Sequence, residues 1–495
     1  MQTFRRTTAL PFPRADVFRW FARPGALVRL TPSFLGSVLA GPSHGIEAGS
    51  TAALGVGAPG GLGLWLGSAS GTVQGILPEA LRSLNAVRPQ LRWEALHTEL
   101  EPGESFTDIM TSGPLTSWTH RHDFADGPVA GSTVMTDTVT YRLPPVATGA
   151  WAQRRFEAEL GRMFDFRARQ LSDDLAFHRD HAGRPLTIAV AGASGLIGTQ
   201  LCALLGGGGH TVLKLVRHAP RGGAETFWDP AAGTLEAAQL AACDAVVNLA
   251  GHPIGGRFTA RTKDAIYRSR IQGTSLLAGT LARLASDGVT RTFVSGSAVG
   301  YYGAAPHHPA GNTGPGSTRA LVESDPAGSD FLAQVCRDWE AASRPAAEAG
   351  LRVVNVRTGV VQSAAGGVLQ RLLPLYLAGV GGPLGKEEWQ SWIGIDDVAG
   401  IFAHAVLSAS LEGPVNAVAP HPVTAEQYAH TLGRVLRRPA AVKVPAAGPR
   451  LLLGGQGARE LALADQRVSA AKAVGSGYTF RHESLEPALR HILGE

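Results

Sequence analysis

The sequence has few cysteines and lacks a long apolar run. Its three cysteines, Cys202, Cys243 and Cys336, form neither a Cys-x-x-Cys pair nor an even set, which favours a reducing cytoplasm over a disulfide-bonded secreted fold. It contains no stretch of about 18 uncharged apolar residues, so a membrane span is not expected. The arginines near the N-terminus are not followed by an apolar segment, and we therefore predict no secretory signal and a cytoplasmic protein.

The sequence also lacks blocks of like charge. The net charge is +5, but only five of the 45 basic residues are lysine and the arginines are scattered. Scattered charges are typical of a solvated surface, so no nucleic-acid partner is expected. The histidines His307 and His308 have no cysteine or acid at ligand spacing. We therefore predict no metal site.

What the sequence does contain is 495 residues, 44% of them hydrophobic, which is enough for two or three domains. Residues 1–180 begin with a predicted strand, Thr3–Leu10, and continue with alternating stretches at Ser105–Ser112, Trp118–Phe124 and Thr133–Leu143. A long amphipathic helix follows, with an apolar stripe made of Phe156, Leu160, Met163, Phe164, Leu171 and Leu175. This pattern predicts an α+β domain with the helix laid across the sheet.

The rest of the chain has a different pattern. Over residues 186–435, apolar strands alternate with helices, which predicts an α/β domain with a doubly wound parallel sheet of the Rossmann type. Residues 444–495 form a small C-terminal domain, with helical spacing in Pro449–Leu463 and Leu485–Leu493.

A glycine-rich turn marks the start of the second domain. The apolar strand Ile188–Val190 leads into Gly192-Ala-Ser-Gly195-Leu-Ile-Gly198, which opens a helix. Gly192 permits a tight turn, Gly195 lets the backbone approach a pyrophosphate, and Gly198 lets the helix pack closely on the strand. The predicted cofactor-binding residues of this turn are Gly192, Ser194, Gly195, Leu196, Ile197 and Gly198.

The end of the next strand indicates which dinucleotide is bound. Strand Thr211–Val216 runs into Arg217, and no acid occurs between His210 and Gly223. An NAD site usually carries an acid here for the ribose 2′-OH, whereas an NADP site carries arginine. We therefore predict NADP(H), with Arg217 on the 2′-phosphate. Small residues at the end of a later strand let a cofactor lie against the backbone, and the predicted contacts there are Asn248, Ala250 and Gly251.

Several motifs in residues 186–430 carry a family resemblance. They include AGASGLIG, NLAG, SGSAVGYYG, VRTGVV and SWIGIDD. On these motifs the chain resembles the extended short-chain dehydrogenase/reductases, and within them the epimerase-like proteins of unassigned substrate. Residues 444–493 resemble the small domain of unknown function that commonly ends such chains. The resemblance implies a dinucleotide-dependent oxidoreductase or epimerase.

Residues 1–180 carry a second resemblance. The phrases ALPFPRADVFRWFARPGALVRLTP, FTDIMTSGPLTSWTHRHDF and TDTVTYRLP are similar to the START-like, polyketide-cyclase-like helix-grip superfamily. The resemblance implies a domain that binds a hydrophobic ligand in a cavity between the sheet and the long helix.

The chain departs from the catalytic pattern of the reductases. Those enzymes generally use Ser/Thr, Tyr and Lys, but aligning Glu340 with the usual helix glutamate puts Leu332 and Cys336 in the Tyr and Lys positions. Ser297 keeps the Ser/Thr position. The predicted catalytic residues are therefore Ser297, Tyr301 and Tyr302, although the two tyrosines are open to a second interpretation as aromatic wall residues.

Arg270 is the other candidate outside the glycine-rich turn. It stands where related enzymes often have Asn, and it is predicted to bind a cofactor phosphate or an anionic substrate; a helix-surface charge is the alternative. The sequence thus favours an NADP(H)-dependent oxidoreductase or epimerase-like enzyme with a small-molecule substrate. The alternative is a non-catalytic sensor or carrier that binds NADP(H) and a lipid-like ligand. The oligomeric state is not predicted.

Overall fold

The computed structural model describes residues 1–57, 90–147, 149–305, 319–385, 387–442 and 447–495. His307 and His308 lie outside the described residues. The chain divides into two compact units. The first comprises Met1–Ala182, Ala203–Gly209 and His491–Glu495, and the second comprises Gly183–Cys202 and His210–Arg490.

The first unit is built on an antiparallel sheet. Its strands are β1 (Gln2–Leu10), β2 (Gly36–Ala40), β3 (Thr51–Val56), β4 (Leu91–Glu101), β5 (Ser105–Ser112), β6 (Ser117–Asp126) and β7 (Thr133–Arg142). They are ordered β1-β7-β6-β5-β4-β3-β2. The helices are α1 (Arg14–Ala22), α2 (Ala26–Leu30) and α3 (Ala150–Asp180). The strands and the long helix predicted from the alternating and helical patterns are confirmed.

The long helix α3 packs on one face of this sheet. Alternation in β6 and β7 turns every second side chain toward the helix. Leu160 and Phe164 join a buried cluster with Trp118 and Tyr141, and Leu171 joins another with Phe124. Burial of these apolar side chains stabilises the unit by an amount that scales with the area removed from water. The resemblance of this segment to ligand-binding helix-grip proteins stays a prediction.

The second unit is built on an eight-stranded sheet. Its strands are β8 (Thr187–Ala191), β9 (Thr211–Val216), β10 (Glu225–Asp229), β11 (Thr234–Leu235), β12 (Ala245–Asn248), β13 (Thr292–Ala298), β14 (Arg352–Thr358) and β18 (Gly413–Ala417). The order is β11-β10-β9-β8-β12-β13-β14-β18, parallel except for the pairing of β10 with β11. The predicted Rossmann-type parallel sheet is therefore confirmed. Two further ribbons pair β15 (Val360–Gln362) with β17 (Trp392–Gly394) and β16 (Trp389–Gln390) with β19 (Val423–Thr424).

Helices cover this sheet and end the chain. They are α4 (Leu196–Gly207), α5 (Ala237–Ala241), α6 (Ala260–Leu284), α7 (Phe331–Ala341), α8 (Arg344–Glu348), α9 (Gly367–Leu377), α10 (Ile395–Leu407), α11 (Ala425–Leu436), α12 (Ala447–Gly457), α13 (Ala471–Gly475) and α14 (Leu485–Leu493). Within the ranges that the structure describes, none of the helices has the length and apolar character needed to cross a membrane.

Candidate cofactor and catalytic site

The candidate site lies where the strand order of the parallel sheet reverses. From β8 the chain proceeds outward through β9 on one side, and then returns to β12 and β13 on the other. Ala191 of β8 pairs with Asn248 of β12, which in turn pairs with Ser295 of β13. The carboxyl ends of these three strands therefore lie side by side, about 10 Å across. Ligands of doubly wound sheets bind at such a switch point.

The glycine-rich turn at the end of β8 has no room for a Cβ at its first and last glycines. Gly192 has a φ of +78°, and a Cβ there would lie 2.7 Å from the carbonyl carbon of Leu249. A Cβ on Gly198 would lie 2.2 Å from the Gly192 oxygen. Ser194 and Gly195 are exposed, and α4 begins directly after them at Leu196. The bare, exposed backbone before a helix N-terminus fits a pyrophosphate group.

Asn248 shapes the neighbouring turn from inside the protein. Its side chain is fully buried, donates a hydrogen bond to Thr274 Oγ1 at 2.9 Å and accepts one from the Ala250 N–H at 3.1 Å. Trp339 Nε1 donates to the same Thr274 oxygen at 2.8 Å. These bonds hold residues 248–251 close to the glycine-rich turn, where the backbone of Leu249 donates to Ala191.

Arg270 of α6 brings a cation to the same edge of the sheet. Its guanidinium lies against Gly251, since a Cβ there would be 3.2 Å from Arg270 Cζ. It also lies 5.0 Å from the ring centre of Trp339 and donates to the carbonyl of His252 at 3.1 Å. Burial lowers the pKa of Arg270, but a guanidinium stays protonated in proteins. The arrangement provides a half-buried positive charge beside the β12 turn.

Arg217 provides a second cation at the end of β9. It is exposed, and it forms no ion pair or hydrogen bond with any residue that the structure describes. A free guanidinium next to the glycine-rich turn can bind a phosphate with two parallel hydrogen bonds.

Ser297 begins a polar network at the end of β13. Its hydroxyl donates to Glu340 Oε1 at 2.7 Å. Both oxygens of Glu340 accept from Arg357, at 2.8 Å from Nε and 2.9 Å from Nη2. The Ser297 and Arg357 side chains are almost completely buried. Because the Ser297 proton is directed to Glu340, its oxygen lone pairs remain available to a substrate hydroxyl.

The two tyrosines after Ser297 have different environments. The Tyr302 hydroxyl is buried; it donates to Asn416 Oδ1 at 2.8 Å and accepts from Arg357 Nη1 at 3.1 Å. Burial raises the pKa of Tyr302 to about 12. Tyr301 is half-buried, and Arg357 Cζ lies 3.5 Å from its ring centre. Among the described residues, no hydrogen-bond partner of the Tyr301 hydroxyl is present.

Helix α7 presents no acid–base pair to this site. Leu332 and Cys336 are buried, and a Cβ on Gly300 would lie 3.5 Å from Leu332 Cβ and 3.7 Å from Cys336 Sγ. Burial raises the pKa of the Cys336 thiol to about 12, so the thiol stays neutral. Leu332 and Cys336, which occupy the Tyr and Lys positions of the reductases, therefore present an apolar and an uncharged side chain to residues 299–303, the tyrosine turn.

The C-terminal segment holds the tyrosine turn in place. Gln466 Nε2 donates to the carbonyls of Val299 and Gly303 at 3.1 and 2.7 Å. The Asp465 N–H donates to the Ala304 carbonyl at 2.8 Å. Residues after position 447 thus support the loop that carries Tyr301.

Three members of the network, Glu340, Arg357 and Asn416, were not predicted from the sequence as site residues. Glu340 served there only as the reference position for aligning the helix. A usable signal is present in VRTGVV, where Arg357 interrupts a run of apolar strand residues. A charged residue at a buried strand position requires a partner, and that partner is Glu340.

Comparisons with known proteins agree with this geometry. Residues 188–419 match the NAD dependent epimerase/dehydratase family, and residues 444–492 match a domain of unknown function, DUF1731. The epimerase family protein Mb2239 of Mycobacterium bovis is 40% identical over 304 residues, which are 61% of this chain and 96% of that protein.

Two crystal structures are similar to the chain. One is the nucleoside-diphosphate sugar epimerase from Corynebacterium glutamicum, with a TM-score of 0.75 and 33% identity over 99% of this chain and 90% of that one. The other is human epimerase family protein SDR39U1 (isoform 2) with NADPH, with a TM-score of 0.53 and 31% identity over 62% of this chain and 99% of that one.

Proposed function

Because the chain belongs to the NAD-dependent epimerase/dehydratase family, we propose that it is an NADP(H)-dependent oxidoreductase or epimerase-like enzyme with a small-molecule substrate. The observation that carries the proposal is the glycine-rich turn Gly192–Gly198, where a Cβ on Gly192 or Gly198 would clash with backbone, beside two cations, Arg217 and Arg270. This arrangement suits a dinucleotide with an additional phosphate. The nicotinamide supplies hydride transfer when it is bound.

Different residues bind different parts of the dinucleotide in this proposal. The Gly192–Gly198 turn and the N-terminus of α4 receive the pyrophosphate. Arg217 binds the 2′-phosphate, and Ala250 and Gly251 let the cofactor lie against the backbone. Arg270, next to Gly251, binds a phosphate of the cofactor or an anionic substrate. The NADPH in the structure of the human relative supports this choice of dinucleotide.

The acid–base work belongs to Ser297 and Tyr301. Ser297 accepts a hydrogen bond from the substrate hydroxyl and thereby orients it, while Glu340 and Arg357 hold the serine. Tyr301 is the candidate proton donor, because its hydroxyl has no partner among the described residues and its ring is fixed against Arg357. Tyr302 is a positioning residue, since its hydroxyl is engaged by Arg357 and Asn416.

Cofactor choice tests the first part of the proposal. We expect NADPH to bind at least about tenfold tighter than NADH, because one phosphate–arginine pair is worth about 1.4 kcal/mol or more. Arg217→Ala should remove most of that preference, measured by titration calorimetry with both cofactors. Arg337→Ala, which removes an exposed arginine of α7, should leave it unchanged. Equal affinity of the native protein for both cofactors would contradict the assignment.

Turnover tests the second part. The protein is incubated with NADPH and a cell metabolite extract, and separately with nucleoside-diphosphate sugars, because the similar C. glutamicum protein is a nucleoside-diphosphate sugar epimerase. Ser297→Ala and Tyr301→Phe should each reduce the rate about a hundredfold, the usual worth of a proton-transfer group. Both should retain NADPH affinity. Tyr267→Phe, which removes a half-buried hydroxyl that donates to Asp338 and is not part of the Ser297 network, serves as the matched control.

One observation favours a second candidate function. The buried Leu332 and Cys336 leave α7 without the Tyr–Lys pair of the reductases. A non-catalytic sensor or carrier, with NADP(H) in the second unit and a hydrophobic ligand in the first, needs no such pair. NADPH binding without turnover of any extract component, together with uptake of a fluorescent fatty probe by the first unit, would favour this alternative.

A further inference from the structure

Two histidines occupy core positions of strand β6. Trp118, His120, His122 and Phe124 alternate inward, while the residues between them face outward. The His120 and His122 side chains are almost completely buried among apolar side chains, and Phe106 stacks on the ring of His122 at 4.1 Å. Histidine at an inward strand position in such a core is costly unless its nitrogens have partners.

The partners come from the two neighbouring strands. Asp108 of β5 stands opposite His120, and Asp137 of β7 stands opposite His122. Because directly paired residues project to the same face of a sheet, all four side chains meet under helix α3. The Asp137 carboxylate is buried, and burial is outweighed by the two histidines, which hold the pKa of Asp137 well below its usual range.

The two imidazoles lie closer to the Asp137 carboxylate than to the Asp108 carboxylate. On one side, His120 Nε2 hydrogen-bonds Asp137 Oδ1 at 2.9 Å, and His122 Nδ1 lies 2.7 Å from the same oxygen, off the direction of a hydrogen bond. On the other side, His120 Nδ1 and His122 Nε2 lie 3.6 and 3.8 Å from Asp108 Oδ2. The second pair of distances is too long for hydrogen bonds.

Those longer distances suit ligands of one ion. Atoms bound at about 2.05 Å around a tetrahedral metal are about 3.3 Å apart. One ligand atom from each of Asp108, His120 and His122 can be chosen so that all three lie within 4.8 Å of one another. Asp137 lies beside the other nitrogens, His120 Nε2 and His122 Nδ1, where a carboxylate commonly orients metal-bound histidines.

We propose that Asp108, His120 and His122 bind a divalent transition-metal ion such as Zn²⁺, with Asp137 as the carboxylate that orients both imidazoles. Two imidazoles and one carboxylate are a donor set that such ions prefer. His97 of β4 stands opposite Asp108, and its buried Nδ1 has no hydrogen-bond partner in the part of the chain that the structure describes. It adds a further imidazole beside Asp108, outside the three-residue ligand set.

The charges around the cluster are compatible with a cation. Arg167 of α3 interacts electrostatically with both carboxylates. With both imidazoles neutral, the form that binds a metal, two acids and one arginine leave one negative charge. No metal site is predicted from cysteines and acids at short spacing along the chain. Here the ligands come from two neighbouring strands, β5 and β6, and the signal is a His-x-His pair at inward positions.

Metal content and cobalt spectroscopy test the proposal on the full-length protein without an affinity tag, since a polyhistidine tag would bind the same ions. We expect about one equivalent of zinc by mass spectrometry after growth in zinc-supplemented medium. After chelation, one equivalent of Co²⁺ should produce a visible d–d absorption band. Less than a tenth of an equivalent of zinc and no cobalt band would overturn the proposal, whatever the variants do.

Variants locate the ion. His120→Ala and His122→Ala should abolish the cobalt band, whereas His44→Ala, an exposed histidine of the same unit, should leave it intact. Asp137→Asn keeps the shape of the side chain and should weaken Co²⁺ binding about 10- to 100-fold, which supports the location even if the alanine variants fail to fold. Stoichiometric cobalt that none of these substitutions affects would place the ion elsewhere and overturn the proposal.

Discussion

At the scale of single residues, burial sets the charge of Asp397 near the start of α10. Its carboxylate accepts from Tyr478 Oη at 3.1 Å and from the Arg481 N–H at 2.8 Å. Burial raises the pKa of Asp397 to about 6, with a further rise from the like charge of Asp396, and Arg481 opposes both. The folded protein therefore holds this proton more tightly than the unfolded chain does.

The raised pKa of Asp397 predicts a defined pH dependence. Below about pH 4, Asp397 is protonated in both the folded and the unfolded protein, and its contribution to the free energy of unfolding is complete. This contribution is lost as the pH rises through 6. A shift of about two units corresponds to about 3 kcal/mol. From pH 4 to pH 7, the free energy of unfolding of Asp397→Asn should therefore rise by up to about 3 kcal/mol relative to the native protein, measured by urea denaturation.

The difference between the two proteins is the quantity to compare, because all other carboxylates titrate in both. Asp264→Asn, on the exposed side of α6 where Asp264 pairs with Arg268, should show no comparable rise. A constant difference between Asp397→Asn and native protein across this range would show that Asp397 is not protonated on folding.

Residue-level prediction from sequence succeeds where a rule is local. The turn glycines follow from a strand, a turn and a helix in succession, and the structure gives Gly192 its positive φ and leaves no room for a Cβ on Gly198. No such local rule predicts the pairing of Glu340 with Arg357. They are 17 residues apart, and they meet because α7 packs against β13, the strand that pairs with β14.

At the scale of elements, the C-terminal segment stabilises the turn that carries Tyr301. Gln466 is buried, and its amide is the donor for two carbonyls of residues 299–303. Its own backbone is fixed by Trp389 and Ser391. The domain of unknown function therefore has a structural relation to the candidate active site, through hydrogen bonds that a short glycine-containing turn cannot make by itself.

This contact predicts a local effect of Gln466→Met. The substitution keeps the length of the side chain but leaves two carbonyls without a donor, at a cost of about 1–3 kcal/mol. Amides of residues 299–303 should exchange about 10- to 100-fold faster in hydrogen-exchange mass spectrometry. Gln334→Met, on the exposed face of α7, is the matched control. Unchanged exchange in the turn would mean that Gln466 does not restrain it.

Element prediction is good where periodicity is strong and weak where elements are short. The strands β1, β5, β6 and β7 of the first unit and β8, β9, β12, β13 and β14 of the second follow from alternation or apolar runs. The strand β10 and the two-residue strand β11 were not predicted, because they are too short to show a period. In β6 the alternation indicates the strand correctly but does not show that half of its inward residues are polar.

At the scale of the whole molecule, the cofactor site and the unit boundaries can be tested together. Every predicted cofactor-binding residue, from Gly192 to Arg270, belongs to the second unit, and so do Ser297, Tyr301 and Tyr302. The first unit includes Ala203–Gly209 and His491–Glu495 in addition to Met1–Ala182. A cut in the chain after residue 182 therefore leaves twelve residues of the first unit attached to the second.

We predict that a fragment of residues 183–495 folds and binds NADPH with an affinity within about threefold of the full chain, because the binding groups and the sheet that positions them are all retained. Its melting temperature should be lower, since side chains such as Leu204 and Ile492, buried in the whole protein, lose apolar burial. Binding is measured by NADPH fluorescence.

Gly198→Val in the same fragment should abolish binding, because a Cβ at this position would lie 2.2 Å from the Gly192 oxygen. A fragment that is folded by circular dichroism but does not bind NADPH would show that the first unit completes the cofactor site, and an insoluble fragment would show that the second unit depends on the first for folding.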